Sequence, residues 1–165
     1  MSYDNSMETI YNELTTAMTK ARAPKHPMKI LVTGDRMLQN YQMVETIIAY
    51  IDPTVVVHGG ARGADTLAAE AARTIGATVK KYRADWNEYG RAAGPIRNQQ
   101  MIDDEHTTEE PIDMCVAFHD RIKTSRGTKD MVRRALRAKI PTILVRPSHP
   151  DTLIVALTEL ESDLR

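Results

Sequence analysis

The chain has 165 residues, 42% of them hydrophobic, and equal numbers of basic and acidic side chains at 22 each. That length accommodates one globular domain with a real core, and a formal net charge of zero advertises neither nucleic acid nor an anionic membrane. No apolar run approaches the roughly 20 residues of a membrane span; with a single cysteine and no signal peptide, a reducing cytoplasm is the expected compartment. Met7, Ile10, Tyr11, Leu14, Ala17 and Met18 recur at helical spacing, so the chain is expected to open on an amphipathic helix. Its apolar stripe must cover either the flank of its own domain or a second subunit. Pro24 and Pro27 mark a linker after it, which divides the chain into an N-terminal element, 1–27, and a domain, 28–165.

Lys29 to Thr33 is the first strand, and a helix from Tyr41 to Tyr50 follows with Val44, Ile47, Ile48 and Ile51 on its inner face. Thr54 to Val57 is the second strand, followed by a helix from Ala64 that Gly76 stops. Thr78 to Tyr82 is the third strand. A long loop, Ala84 to Pro95, precedes a helix carrying Arg97, Asn98 and Met101, and the acidic stretch Asp103 to Glu110 reads as a solvated connection. Ile112 to Phe118 is continuously apolar, as a central parallel strand should be, and encloses Cys115 as a small core residue. A polar loop leads to the helix Thr128 to Ala138, then a fifth strand, Pro141 to Val145, and a closing helix, Asp151 to Leu164, with Asp151 as N-cap. Strands alternating with helices at this pitch specify an α/β fold: a doubly wound, mostly parallel five-stranded Rossmann-like sheet with helices on both faces.

The segment Val55-Val56-Val57-His58-Gly59-Gly60-Ala61-Arg62-Gly63-Ala64-Asp65 runs from a buried-type strand through a glycine-rich turn into a helix. A helix N-terminus there would aim unpaired N–H groups and the positive end of its dipole at an anion, most often phosphate. A turn that merely needed glycine is the plainer alternative; three glycines around an arginine favour a ligand. Ligands of such sheets bind outside the carboxyl ends of the strands. That edge collects Gly34, Asp35 and Arg36 from the first loop, Gly59 to Asp65 from the second, Trp86, Arg97 and Asn98 from the third, and Ser125, Gly127 and Thr128 from the fourth. Arginine gathers there, and its planar fork suits phosphate and carboxylate, so an anionic, phosphorylated ligand is expected.

Each candidate has a structural alternative. His58 is either a base or a hydrogen-bonded core histidine. Asp65 either contacts ribose or stabilises the first turn of its helix. Trp86, the only tryptophan, either stacks on a base or plugs its loop onto the core. Ser125 and Thr128 could be caps alone. The scattered histidines and single cysteine have no metal-ligand spacing, so neither a metal nor a cofactor is expected.

The motifs Ile30-Leu31-Val32-Thr33-Gly34-x-Arg36, His58 to Asp65, Ala84-Asp85-Trp86, Gly94-Pro95-x-Arg97-Asn98-x-x-Met101 and Ser125-x-Gly127-Thr128-x-x-Met131 stand in order at the strand ends. In this the chain resembles the SLOG superfamily, the Rossmann-like domains named for the DprA/Smf and Lonely Guy proteins, and within it the small YspA/YpsA-related branch. The resemblance covers about Met28 to Val145. It implies a homodimer that binds a nucleotide or nucleotide-sugar, ADP-ribose-like or a nucleoside phosphate, as a sensor or sequestering protein. N-glycosidase action on nucleoside monophosphates and DprA-type single-stranded DNA binding are the alternatives. Two departures bear on this. Asp35 stands where the superfamily's first loop carries a small hydroxyl residue. The Gly-Thr-x-x-Glu motif of the Lonely Guy enzymes reads Gly127-Thr128-Lys129-Asp130-Met131 here, so their glutamate is replaced. Arg97 matches their arginine, and Asp130 sits about 100° around the helix from the glutamate's place. Arg97 and Asp130 are therefore the only catalytic candidates, and weak ones.

Overall fold

The computed structural model describes residues 3–24, 29–149, 153–157 and Leu164. In chain order the elements are α1 (Tyr3–Lys20), β1 (Lys29–Gly34), α2 (Tyr41–Ile51), β2 (Val55–His58), α3 (Ala64–Thr74), β3 (Thr78–Lys81), α4 (Trp86–Tyr89), α5 (Ala93–Glu105), β4 (Met114–Phe118), α6 (Gly127–Arg137), β5 (Thr142–Val145) and β6 (Ile154–Leu157). One sheet runs in the order β3-β2-β1-β4-β5-β6, parallel except for β6. β1 lies between β2 and β4, so chain direction across the sheet reverses beside it. A crevice at the carboxyl ends is the usual consequence.

The pleat sorts the core into two layers. Ile30, Val32, Val56, Met114, Val116 and Phe118 face α1, α2 and α3. Leu31, Val57 and Cys115 face Met101 and Ile102 of α5 and Met131 of α6. Both faces are thereby covered, which is why these strands carry continuous apolar runs. Asn40 caps α2 by accepting the Met43 N–H at 3.1 Å, and Asp52 ends it in the left-handed region at φ 51°. Alanines at 64, 68, 71 and 72 let α3 lie close to the sheet.

Three expectations are corrected. The sheet has six strands, because Ile154–Leu157, expected within a closing helix, is an antiparallel strand paired with β5. Its burial alternates with period two: Ile154 packs among the α1-side residues, Val155 and Leu157 among those on the α6 side. Asp151, the expected N-cap, lies outside the described residues, as do Pro27 and Met28. Secondly, the long loop Ala84 to Pro95 holds the short helix α4 and the first turn of α5, where Pro95 is tolerated because first-turn N–H groups need no intrahelical partner. Thirdly, the acidic stretch is not wholly solvated. Glu105 is buried and receives Lys29 Nζ at 3.2 Å, Lys80 Nζ at 2.9 Å and the Tyr82 hydroxyl at 2.6 Å. Burial alone would raise its carboxyl pKa; the hydrogen bonds from Tyr82, Lys80 and Lys29 outweigh that and hold it below the ordinary value.

The stripe on α1 covers the flank of its own chain. Leu14 and Ala17 are buried with Ile10 and Met18 packed around them, and Glu13 accepts the N–H of Ile154 at 3.1 Å. That carboxylate occupies an outward-facing donor of the edge strand. Among the described residues no helix is long and apolar enough to cross a membrane.

Candidate functional site

β2 delivers the glycine turn. His58, its last residue, is buried, and its Nδ1 accepts the Gly60 N–H at 3.0 Å. The imidazole is therefore neutral with its proton on Nε2, and burial, helped by the positive charges of Lys81, Arg73 and Arg97, lowers its pKa to about 4. Asp65 Oδ2 accepts the Gly59 N–H at 3.0 Å and the Ala61 N–H at 3.2 Å. Burial pushes this carboxyl up to about 6 against the pull of those amides and of Arg97. The structural alternatives for His58 and Asp65 are thus the ones that the contacts support. The amides of Gly59, Gly60 and Ala61 serve the turn itself. Those of Arg62 and Gly63 make no hydrogen bond among the described residues and remain to meet an anion.

Gly63 has another task. It holds φ at 71°, and a Cβ there would stand 2.2 Å from the Asp35 carbonyl oxygen. Only glycine lets the first and second loops touch, and the Ala64 N–H then donates to that same carbonyl at 3.0 Å.

Arg97 projects from α5 beneath the turn. Its Nη1 donates to the carbonyls of Gly59 and, at 3.2 Å, of Tyr82, and its Nε to Asn98 Oδ1 at 3.0 Å. It ties the ends of β2 and β3 together. Asn98 in turn donates to Asp130 at 2.9 Å, and Asp130 also takes Arg134 Nε at 2.8 Å and Nη2 at 3.1 Å. Both carboxylate oxygens of Asp130 are occupied in bracing α5 against α6. Met131, at the position of the replaced glutamate, is fully buried in the core.

Two adjoining cavities open at the carboxyl edge. The larger, about 450 Å³, is lined by Gly34, Asp35 and Arg36 after β1, by Ala61, Arg62 and Asp65, by Arg97 and Asn98, and by His119 and Ser125 to Thr128 after β4. It lies at the crevice beside β1. The smaller, about 370 Å³, is lined by Gly59, Gly60, Lys81, Arg83 and Trp86, and shares Arg36, Ala61, Arg62 and Arg97 with its neighbour. Of the residues expected at the site, all but Gly63 line one or the other. Together the cavities present Arg36, Arg62, Lys81, Arg83, Arg97 and Arg126 against Asp35 and Asp65. Trp86 is 53% exposed, so it does not plug its loop onto the core; it stands at the cavity wall over Gly94. Ser125 Oγ accepts the Thr128 N–H at 3.1 Å, so the capping role of this pair is present in addition to its place in the wall.

His119, Lys81 and Arg83 escaped the sequence reading. Lys81 and His119 end or directly follow a strand, so the rule that found the other loops reaches them when applied to every strand end. His119 Nδ1 accepts the Arg121 N–H at 2.9 Å, and burial lowers its pKa against the nearby carboxylates of Asp35 and Asp120. Among the described residues no group of three or more His, Cys, Asp or Glu could hold a metal ion.

The family model of the YspA, cpYpsA-related SLOG family matches residues 28–89, which span β1 to α4 and include the glycine turn and Trp86. The Gene 61 protein of Mycobacterium phage D29 is 35% identical over 125 residues, covering 70% of this chain and 94% of that protein. The chain belongs to the YspA/cpYpsA-related SLOG family. The matched segment of this SLOG protein supplies the first and second loops and part of the third, while α5 and the loop after β4 complete the cavities from outside it.

Proposed function

We propose that this SLOG protein binds a nucleotide or nucleotide-sugar, ADP-ribose-like or a nucleoside phosphate, in the joined cavities, as a sensor or sequestering protein. The observation that carries the reading is charge. A chain with no net charge lines this one place with Arg36, Arg62, Lys81, Arg83, Arg97 and Arg126 and only two carboxylates. Arg36 and Arg62, which line both cavities, are assigned to phosphate together with the Arg62 and Gly63 amides. Trp86 is assigned to the base, which an exposed indole at a cavity wall can stack. Arg97 shapes the wall and adds its charge. Binding is preferred over N-glycosidic cleavage because Met131 is buried and Asp130 is held by Arg134 and Asn98. Family membership adds the proposal of a homodimer, to which α1, covering its own chain, does not contribute.

Calorimetric titration with ADP tests the reading. Wild type should bind with an affinity that falls as salt rises. Arg36→Ala and Arg62→Ala should each weaken binding about ten- to a hundredfold, the usual loss for one charge-assisted hydrogen bond. Equal affinity in both variants would contradict the assignment.

A further inference from the structure

The two cavities differ in chemistry, and the difference points to more than phosphate. The smaller has a basic wall with Trp86 and no carboxylate. The larger ends in Asp35, His119, Ser125 and Thr128. An ionised carboxylate only accepts hydrogen bonds. Asp35 Oδ1 already accepts the Met37 N–H at 2.9 Å, whereas Oδ2 makes no hydrogen bond among the described residues. A phosphate brought against it would be repelled. His119 is complementary: Arg121 occupies its Nδ1 and burial keeps the ring neutral, so Nε2 carries the proton and donates. An acceptor and a donor near each other suit a group that both donates and accepts through neighbouring atoms, as the two hydroxyls of a sugar diol do.

Resting on the nucleotide reading above, we propose that Asp35 and His119 recognise the hydroxyls of a second, terminal sugar. The ligand class is then a nucleoside diphosphate carrying a sugar. Its diphosphate lies against Arg36 and Arg62, its base against Trp86, and its sugar in the Asp35 end of the larger cavity. Volumes of about 450 and 370 Å³ fall within the range of small-molecule sites, about 300–1,000 Å³.

The test compares ADP-ribose with ADP by calorimetry on the full chain. Wild type should prefer ADP-ribose about ten- to a hundredfold. Asp35→Asn, whose amide oxygen can still accept the Met37 N–H, should lose most of that preference with ADP affinity unchanged or tighter. His119→Phe, which fills the space without a donor, should lose part of it. ADP binding with no preference for ADP-ribose in wild type overturns the sugar proposal and leaves the nucleotide reading standing. Tightening of both ligands by Asp35→Asn means the carboxylate faces phosphate, and also overturns it. Failure of wild type to bind either ligand removes both readings. The wild-type comparison needs no variant, so the proposal stays exposed even where a substitution disturbs folding.

Discussion

Arg97→Ala should damage stability and binding together. The sequence alone suggested a side chain that meets ligand and little else, so that its loss would leave the melting temperature nearly unchanged. In the structure its guanidinium donates to the carbonyls of Gly59 and Tyr82, at the ends of β2 and β3. Hydrogen bonds from a charged donor are worth roughly 1.5–3 kcal/mol each, and water can partly replace them at a cavity wall. A net loss of about 2–4 kcal/mol follows, which in a chain of this size lowers Tm by roughly 5–15 °C. The deficit should also depend on pH. Arg97 is the charge that most favours ionised Asp65, whose carboxyl burial already pushes up to about 6. Without Arg97 that pKa rises further, so ionising the buried group costs more, and the variant should lose more stability at pH 8 than at pH 5. Circular dichroism melts at both pH values, with ADP titrations alongside, read these effects. An unchanged Tm would refute the carbonyl clamp. A loss equal at both pH values would refute the coupling to Asp65.

Asp65 and His58 should compensate each other in acid. The lowered His58 pKa contributes stability above pH 6.5 that is lost as pH falls towards 4, on the order of 3 kcal/mol, whereas the raised Asp65 pKa removes a similar amount as pH rises from about 4 to 6. Asp65→Asn should therefore steepen the fall in Tm between pH 6.5 and 4 relative to wild type, and parallel curves would count against both assignments. Leu14→Ala should cost about 2–5 kcal/mol because Leu14 is fully buried between α1 and the sheet. Light scattering should find a dimer both in the full chain and in a form starting at Met28, the shorter form melting lower; a monomeric full chain sinks the dimer proposal, and a dimer lost on truncation places α1 in the interface. Long incubation with AMP or CMP should release little or no free base by chromatography, and turnover abolished by Asp130→Asn would show that Asp130 has taken over the glutamate's role.

Strand-end logic located the site because it depends only on the order of elements, and that order is written in local patterns such as Ile30-Leu31-Val32 and Val55-Val56-Val57. What it could not supply were partners distant in sequence. Glu105 looks solvated beside Asp103 and Asp104, yet it meets Lys29 from 76 residues earlier. Arg97 reads as a free cation until the carbonyls of Gly59 and Tyr82 come within reach. Ile154–Leu157 is apolar at every position, a pattern compatible with either a helix or a strand, and pairing with β5 decides between them. The glycine turn looked like an open cradle of amides; Asp65 and His58, both inside the same motif, fill half of it.

Amide chemical-shift mapping during titration with ADP tests the central claim most directly. Shifts should concentrate at Gly34 to Met37, at Arg62 and Gly63, near Trp86, and at Ser125 to Thr128, with the groove between α1 and β6 silent. Saturating shifts confined to other surfaces, or none at these amides with millimolar ADP, would contradict a nucleotide site at the carboxyl edge.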